Sequence, residues 1–224
     1  MARDNSPKAR QQKDLQRKQG QRASHDRILI VTEGSKTEPL YFQEIRAAYR
    51  LNTASVEVRH SAHGPAPIQV VEYAHELFLQ GNRHNRIQPK AFEQVYAVFD
   101  RDEHPSYAAA LQQAAALDGK LKNDAGQRVT FKAIASVPSF ELWLLLHYEN
   151  IQAPIHRDDV IRHLRRYMPG YEKGAGRAFS TTRAHLQTAL QRAEKLAERF
   201  NAHTDPEPYT GIATLVKTLT ELNA

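Results

Sequence analysis

Three acidic side chains follow apolar stretches of the sequence at positions suited to binding a metal ion. The stretch YAVFDRD ends in Asp100 and Asp102, and the stretch ILIVTEG carries Glu33 directly before Gly34. Two like charges about 4 Å apart repel each other by roughly 1 kcal/mol in water, and by several-fold more in a partly dry site. Because Mg²⁺ and Mn²⁺ prefer carboxylate oxygens, we expect one of these cations among the three acids.

Other residues close to these acids are candidates for accessory roles. The D-x-D pair alone is a weak signal, since acids often collect in loops after strands, and its pairing with E-G makes it more specific. Glu33 is either a metal ligand or a general base. Lys36 lies in the sequence GSKT, where loop amides and a helix N-terminus would receive a phosphate. His104, just beyond the D-x-D pair, is a candidate hydrogen-bond donor to phosphate or proton carrier.

Alternating strand and helix patterns position these acids. The predicted strands are 27–33, 54–60, 93–100 and 129–136, and the predicted helices are 38–50, 65–81, 106–122 and 139–148. This alternation is typical of an α/β fold, a mainly parallel sheet with helices on both faces. The functional crevice of such a sheet lies beyond the carboxyl ends of its strands. Side chains alternate along a strand, so Asp100 and Asp102 point the same way if extended geometry continues past residue 100.

The pattern changes after about residue 150, and the chain divides into three parts. Residues 1–26 are predicted to be a basic disordered or extended tail, and residues 27–150 the α/β domain. Residues 151–224 read as a helical C-terminal region packed on that core, because their helical patterns follow one another with no clear strand between them.

The net charge of +6 is concentrated near the N-terminus. Residues 1–27 hold eight basic and three acidic side chains, whereas the rest of the chain holds 23 basic and 22 acidic ones. A polar segment of this kind cannot bury enough apolar surface to fold alone. It either contacts nucleic-acid phosphates, with an affinity that depends on salt, or only keeps the protein in solution.

The composition excludes several classes of protein. The sequence has no cysteine, which rules out disulfides, thiolate zinc sites and cysteine nucleophiles. No apolar run approaches the length of a membrane span, and the charged N-terminus does not read as a signal peptide. We therefore expect a cytoplasmic protein that does not associate with membranes.

Three motifs, in this order, resemble the RloB family: ILIVTEGSKTEPLYF, VYAVFDRDEH and SVPSFELWLLLHYE. Weaker signals are YEKG (171–174) and DPEPYTGIATLV (205–216), and the resemblance extends from about residue 27 to the end of the sequence. Members of this family are Toprim-like proteins encoded in bacterial restriction and abortive-infection loci, often beside an ATPase. The resemblance therefore implies a Toprim-like fold, an ATPase partner and a role in phage defence.

The resemblance also assigns site residues. The Toprim pattern, a Glu after the first strand and a D-x-D after a later one, falls on Glu33, Asp100 and Asp102. Proteins with this pattern cut or join phosphodiesters with Mg²⁺. The F-E-L-W motif of the family implies that Glu141 also approaches the metal, and Lys173 in YEKG is a candidate for phosphate contact.

The leading hypothesis is a Mg²⁺- or Mn²⁺-dependent nuclease that acts on RNA or DNA in phage defence. One alternative is a nucleotidyl or phosphoryl transferase that uses the same metal site. Another is a non-catalytic module that binds the partner protein of a defence complex. The choice of nucleic acid, the trigger and the oligomeric state stay open at this point.

Overall fold

In a computed structural model that describes residues 26–102, 104–204 and 206–222, a five-stranded sheet lies between two layers of helices. The strands are β1 (Ile28–Thr32), β2 (Val56–His60), β3 (Gln94–Asp100), β4 (Thr130–Val137) and β5 (Tyr209–Thr210). The α-helices are α1 (Thr37–Ala48), α2 (Pro67–Gln80), α3 (Tyr107–Leu117), α4 (Phe140–Leu146), α5 (Arg157–Tyr167), α6 (Ala178–Thr182), α7 (Leu186–Ala197) and α8 (Ile212–Glu221). The predicted tail, apart from residue 26, lies outside the described residues.

The order of strands in the sheet is β2-β1-β3-β4-β5, and β1 to β4 run parallel. From β1 the chain moves outward to β2, and it then crosses to the other side of β1 to form β3. The carboxyl ends of β1 and β3 are therefore a topological switch point, where doubly wound α/β proteins bind their ligands. The predicted α/β fold class, a mainly parallel sheet with helices on both faces, is confirmed.

The fifth strand corrects the prediction that no strand follows residue 150. β5 pairs antiparallel with the end of β4, through Ser136 with Thr210 and Val137 with Tyr209. The hydroxyls of Ser136 and Thr210 lie 3.2 Å apart and add a side-chain hydrogen bond to this pairing. A strand of two residues is too short to produce an alternating pattern, which takes four or more residues to recognise.

Alternating side chains of β1 contribute to both hydrophobic cores. Ile28 and Ile30 belong to one core and Leu29 and Val31 to the other, and all four are fully buried. This follows from the two-residue period of a strand whose two faces are both covered. The first core includes residues of α1 and of α4 to α8. The second core includes residues of α2 and α3.

Helix α4 is buried on every side, as its apolar sequence FELWLLL predicts. All seven of its residues are buried, since the helix lies between the sheet and the C-terminal helices α5, α7 and α8. The indole Nε1 of Trp143 donates a hydrogen bond of 2.7 Å to the hydroxyl of Tyr41, so its one polar atom is satisfied inside the core. Within the described ranges, none of the helices combines the length and apolar character needed to cross a bilayer.

Helix α3 is shorter than the predicted helix 106–122. It ends at Leu117, and the carboxylate of Asp118 then accepts a hydrogen bond from the backbone N–H of Phe131. Gly119 follows with a φ of +67°, a left-handed conformation that glycine adopts without strain. The alanine-rich sequence favours a longer helix, and this turn stops it.

Candidate active site

Glu33 and Asp100 meet at the switch point between β1 and β3. The backbone N–H of Glu33 donates to the carbonyl of Val98, which continues the pairing of β1 with β3 by one residue. The Glu33 carboxylate then accepts a 2.9 Å hydrogen bond from the backbone N–H of Asp100. Asp100, the buried last residue of β3, accepts a 2.8 Å hydrogen bond from the backbone N–H of Phe140, the first residue of α4. The buried helix α4 therefore fixes the Asp100 side chain.

Asp102 does not continue the geometry of β3. Its φ of +26° places it in a turn, so the extended geometry on which the predicted strand alternation of Asp100 and Asp102 depended ends at Asp100. Asp102 instead forms a 2.5 Å ion pair with Arg157, the first residue of α5. Burial lowers the pKa of Arg157, but the nearby carboxylates, Asp102 foremost, outweigh this effect and hold that pKa above its ordinary value.

Glu38 is an acid of this site that the sequence did not single out. It lies in the first turn of α1 and is buried, and its carboxylate is packed against Gly34. A Cβ at position 34 would collide with the Glu38 carboxylate. Glycine at position 34 therefore lets the backbone and this side chain approach each other closely, and a larger residue would force the Glu38 carboxylate to move.

Glu141 lies at the back of the site and is surrounded by donors. Its carboxylate accepts hydrogen bonds from the Ser139 hydroxyl at 2.8 Å and from the Tyr171 hydroxyl at 3.0 Å. The Lys173 ammonium lies 3.0 Å from the same carboxylate. Only 2% of the Glu141 side chain is exposed, and a carboxylate buried to this extent needs such partners. The structure thus brings together Glu141 and Lys173, the two candidates that the family resemblance supplied.

These side chains line one cleft of about 230 Å³ at the carboxyl edge of the sheet, which we call the acid cleft. Its charged lining residues are Glu33, Lys36, Glu38, Asp100, Asp102, Glu141, Arg157 and Lys173. Gly174, with a φ of +78°, lies against the side chain of Lys36, so the YEKG segment packs over the loop that follows β1. Five acids and three basic side chains from distant parts of the chain therefore share this cleft.

His104 is the one predicted site residue that does not line this cleft. Its exposed ring accepts or donates a 2.9 Å hydrogen bond with the hydroxyl of Ser106, and it borders a larger neighbouring cleft. Glu103, which lies between Asp102 and His104, is outside the described residues.

Burial and the charge of neighbouring acids raise the pKa values of three carboxyls in the acid cleft, those of Asp100, Glu33 and Glu38. Burial raises the pKa of Asp100 well above its ordinary value, and the charges of Glu38, Glu141 and Glu33 add to the effect. Burial also raises the pKa of Glu33 to about 7, against the hydrogen bond from Asp100, which lowers it. The pKa of Glu38 is raised by burial and then by the charge of Glu141. The ionised forms of these three carboxyls are therefore disfavoured in the cleft.

The carboxylate oxygens of the acid cleft are suitable ligands for a hard divalent cation, but the side chains are not arranged around a common point. Among the described residues, no three acidic or histidine side chains are gathered closely enough to hold an ion. Asp102 is engaged by Arg157, and Glu33 by the backbone of Asp100. A cation would stabilise the ionised forms of these carboxyls against burial and mutual repulsion, since a bound divalent ion is the largest local charge in such sites.

Fold and cleft together define a doubly wound α/β protein with a cluster of carboxylates and basic side chains at its switch point. The profile of the RloB-like proteins matches residues 28–219, and the chain belongs to the RloB-like family. The resemblance carried by the three sequence motifs is thereby confirmed, while the Toprim likeness stays a prediction. No curated protein and no solved structure matches the chain.

Sequence reasoning missed three residues of the acid cleft and its surroundings. In the sequence, Glu38 cannot be told from the acids that commonly occupy the first turn of a helix. Arg157 lies 55 residues from Asp102 along the chain, so no local spacing connects them. Tyr171 does have a signal, because it opens the YEKG segment two residues before Lys173.

Proposed function

We propose that this protein is a Mg²⁺- or Mn²⁺-dependent nuclease that cleaves phosphodiester bonds of RNA or DNA. The observation that carries the proposal is the joint placement of five carboxylates and three basic side chains in one cleft at the switch point of the sheet. Acids suit a metal ion, and basic side chains suit the phosphate that the ion would contact. Membership in the RloB-like family is compatible with this chemistry.

Glu33, Asp100 and Asp102 are the residues that would hold the cation in this proposal. A bound Mg²⁺ or Mn²⁺ supplies charge that offsets the negative charge developing on the phosphoryl oxygens. For Asp102 to contribute, its carboxylate has to leave Arg157. Both side chains of the 2.5 Å ion pair are partly exposed. Such pairs stabilise a protein by only about 0–1 kcal/mol, so releasing Asp102 from Arg157 costs little free energy.

The other side chains of the cleft divide into phosphate contacts and a base. Arg157, once free of Asp102, has a guanidinium suited to two phosphate oxygens at once. Lys36 and Lys173 offer ammonium groups from two other segments of the cleft. Glu33 has an alternative role as general base if Asp100 and Asp102 alone hold the cation, because burial raises the pKa of the free Glu33 carboxyl to about 7, near neutral pH.

The test is a cleavage assay with a matched pair of variants. Asp100→Asn and Asp118→Asn each keep an amide oxygen that accepts the backbone hydrogen bond made by the original carboxylate, from Phe140 and Phe131 respectively. Asp118 lies before β4, at the opposite edge of the sheet. We expect Mn²⁺-dependent cleavage of RNA or DNA to fall at least about 100-fold in Asp100→Asn and to persist in Asp118→Asn. Equal activity in the two variants would overturn the assignment of the site.

The biological setting in the proposal is phage defence with an ATPase partner, and it rests on the family resemblance. Sequencing the ends of cellular RNA and DNA after expression of the wild type and of Asp100→Asn, each with and without the ATPase of the same locus, would identify the substrate. New ends that appear only with the wild type and the ATPase support the whole proposal. New ends that the ATPase does not change remove the partner from it.

A second candidate function is a non-catalytic module that binds a partner protein. The observation that favours it is the ion pairing of Asp102 with Arg157 and of Glu141 with Lys173, which neutralises two acids without a metal. A Mn²⁺ titration of the melting temperature separates the two functions, since a ligand that binds only the folded state raises this temperature. A rise in the wild type that is absent in Asp100→Asn supports the nuclease, and no rise in either supports the binding module.

A further inference from the structure

A second and larger cleft adjoins the acid cleft, and we infer that it receives an unpaired nucleobase of the substrate beside the phosphate that is cleaved. This inference rests on the proposed nuclease function and narrows its substrate to nucleic acid with unpaired bases. The cleft has a volume of about 920 Å³. Pockets that bind organic ligands typically measure about 300–1,000 Å³, so a base with its sugar has ample room. We call it the base cleft.

The base cleft and the acid cleft share a wall. Asp102 and Arg157 line both, so their ion pair stands between the two. A nucleotide whose phosphate lies on the acid cleft would therefore have the base cleft directly beside it. Only one sugar separates a base from its own phosphate. A base whose phosphate lies on the acid cleft would therefore be expected in the cleft next to it.

The walls of the base cleft are mostly apolar and stiff. They consist of Val137 and Pro138 at the end of β4, Pro154 and Ile155 before α5, and Pro206 before β5. Proline and branched aliphatic side chains form firm apolar surfaces that lose little freedom when a ligand packs on them. The flat face of a base is apolar and suits such walls, whereas a phosphate or a flexible acidic side chain does not.

Among the residues that the structure describes, most ionisable side chains that line the base cleft are basic or histidine. They are Arg101, His104, His156 and Arg157, beside Asp102. Imidazole rings and guanidinium planes stack on unpaired bases, and the same groups donate hydrogen bonds to base edges and phosphates. His104 and His156 are both exposed, so they are available at the entrance. Apolar walls with a basic rim match a base attached to an anionic backbone.

Base pairing would prevent this mode of binding. In a duplex each base is stacked above and below, so a base reaches a pocket only from a single strand or after it is flipped out. The base cleft therefore predicts that the protein prefers single strands, loops or bulges over continuous duplexes. This preference is a property of the base cleft and does not depend on the chemistry in the acid cleft.

The test measures binding of the full chain in EDTA, without cleavage. Fluorescence anisotropy compares three labelled probes of one sequence at one salt concentration: a single-stranded oligonucleotide, the same strand with internal abasic sites, and a hairpin duplex. The abasic strand keeps every phosphate, so the basic residues of 1–25 attract it as strongly as they attract the intact strand. A difference in affinity between the two strands therefore reports recognition of the bases. We expect the abasic strand and the duplex to bind at least about tenfold more weakly than the intact strand.

Two variants locate the effect in the base cleft. Pro154→Trp fills the cleft from an exposed wall position, and its matched control is Pro89→Trp, at an exposed proline in the loop before β3 at the other edge of the sheet. We expect the tenfold preference to disappear in Pro154→Trp and to persist in Pro89→Trp. The double variant His104→Ala, His156→Ala tests the rim independently in case Pro154→Trp fails to fold, and should weaken the preference at least about threefold.

The outcomes separate this inference from the proposed function. Equal binding of intact and abasic strands by the wild type overturns the inference, even if Mn²⁺-dependent cleavage is present and the nuclease therefore stands. A base preference that is unchanged in folded Pro154→Trp and in the double histidine variant also overturns it. A base preference that Pro154→Trp abolishes, in a protein that cleaves no nucleic acid, supports the base cleft and overturns the nuclease.

Discussion

Replacing Glu33 with glutamine should change how the stability of the protein depends on pH. Burial raises the pKa of Glu33 from its ordinary 4.5 to about 7, so the folded protein holds this proton more tightly than the unfolded chain does. Below pH 4.5 both states are protonated, and between 4.5 and 7 only the unfolded state loses the proton. The free energy of unfolding should therefore fall as the pH rises through this window.

The size of this effect follows from the shift and from the exposure of the side chain. Each pH unit between the two pKa values corresponds to about 1.4 kcal/mol, which gives an upper limit of about 3 kcal/mol. Because Glu33 is only partly buried, solvent screening reduces our expectation to about 1–2 kcal/mol. The glutamine keeps an oxygen that accepts the 2.9 Å hydrogen bond from the backbone of Asp100, so the variant removes the charge and keeps the contact.

Urea unfolding at pH 4.5 and at about pH 7.5, without divalent cations, measures this difference. The loss of stability between the two pH values should be about 1–2 kcal/mol smaller in Glu33→Gln than in the wild type, because the variant lacks both the Glu33 charge and its repulsion of Asp100. Glu72→Gln, at an exposed position on α2, is the matched control and should follow the wild type. Parallel curves for Glu33→Gln and the wild type would refute the argument that burial raises the pKa of Glu33.

Three further predictions concern other contacts. Arg157→Gln should strengthen Mn²⁺ binding a few-fold in a thermal-shift titration, because the cation no longer competes with Arg157 for Asp102; weaker binding would contradict this competition. Tyr171→Phe should lower the free energy of unfolding by about 1–3 kcal/mol in urea, since Glu141 loses a buried donor at 3.0 Å. An unchanged value would mean that the remaining donors suffice. Deleting residues 1–22, which removes seven basic and two acidic side chains, should flatten the dependence of nucleic-acid affinity on salt, with each lost phosphate contact changing the slope by about 0.7 to 0.9. An unchanged slope would make the tail a solubilising segment only.

The strand and helix order from β1 to α4 could be predicted because each element there has a strong local pattern. The strands β1 and β3 read as apolar runs, β2 reads as an alternating strand, and α4 reads as a helix without a polar face. The strand β5 could not be predicted, because two residues carry no period. Its position depends on long-range packing against β4, α4 and α7, which no short window of sequence contains.

The candidate site was predictable where it depends on the ends of strands. Glu33 and Asp100 follow apolar runs, and parallel strands carry such residues to one edge of a sheet. Asp102 was harder, because β3 stops at Asp100 and the next residues turn. Arg157 comes from a helix with a strongly charged sequence, where one arginine among several carries no distinguishing signal. A partner of this kind becomes visible only when the chain is folded.

The pairing of β5 with β4 has a consequence for the synthesis of this protein. A ribosome makes the chain from its N-terminus, at roughly 5–20 residues per second, so β4 and α4 emerge well before β5 and α8. Leu219 is a buried member of the first core, so α4 lacks some of the neighbours that cover it until this residue has emerged. The Asp100 side chain depends on α4, because it accepts a hydrogen bond from the backbone of Phe140. A nascent chain therefore completes its acidic edge only at a late stage of translation. A nascent chain that has not yet reached Lys173 also lacks one of the residues that line the acid cleft.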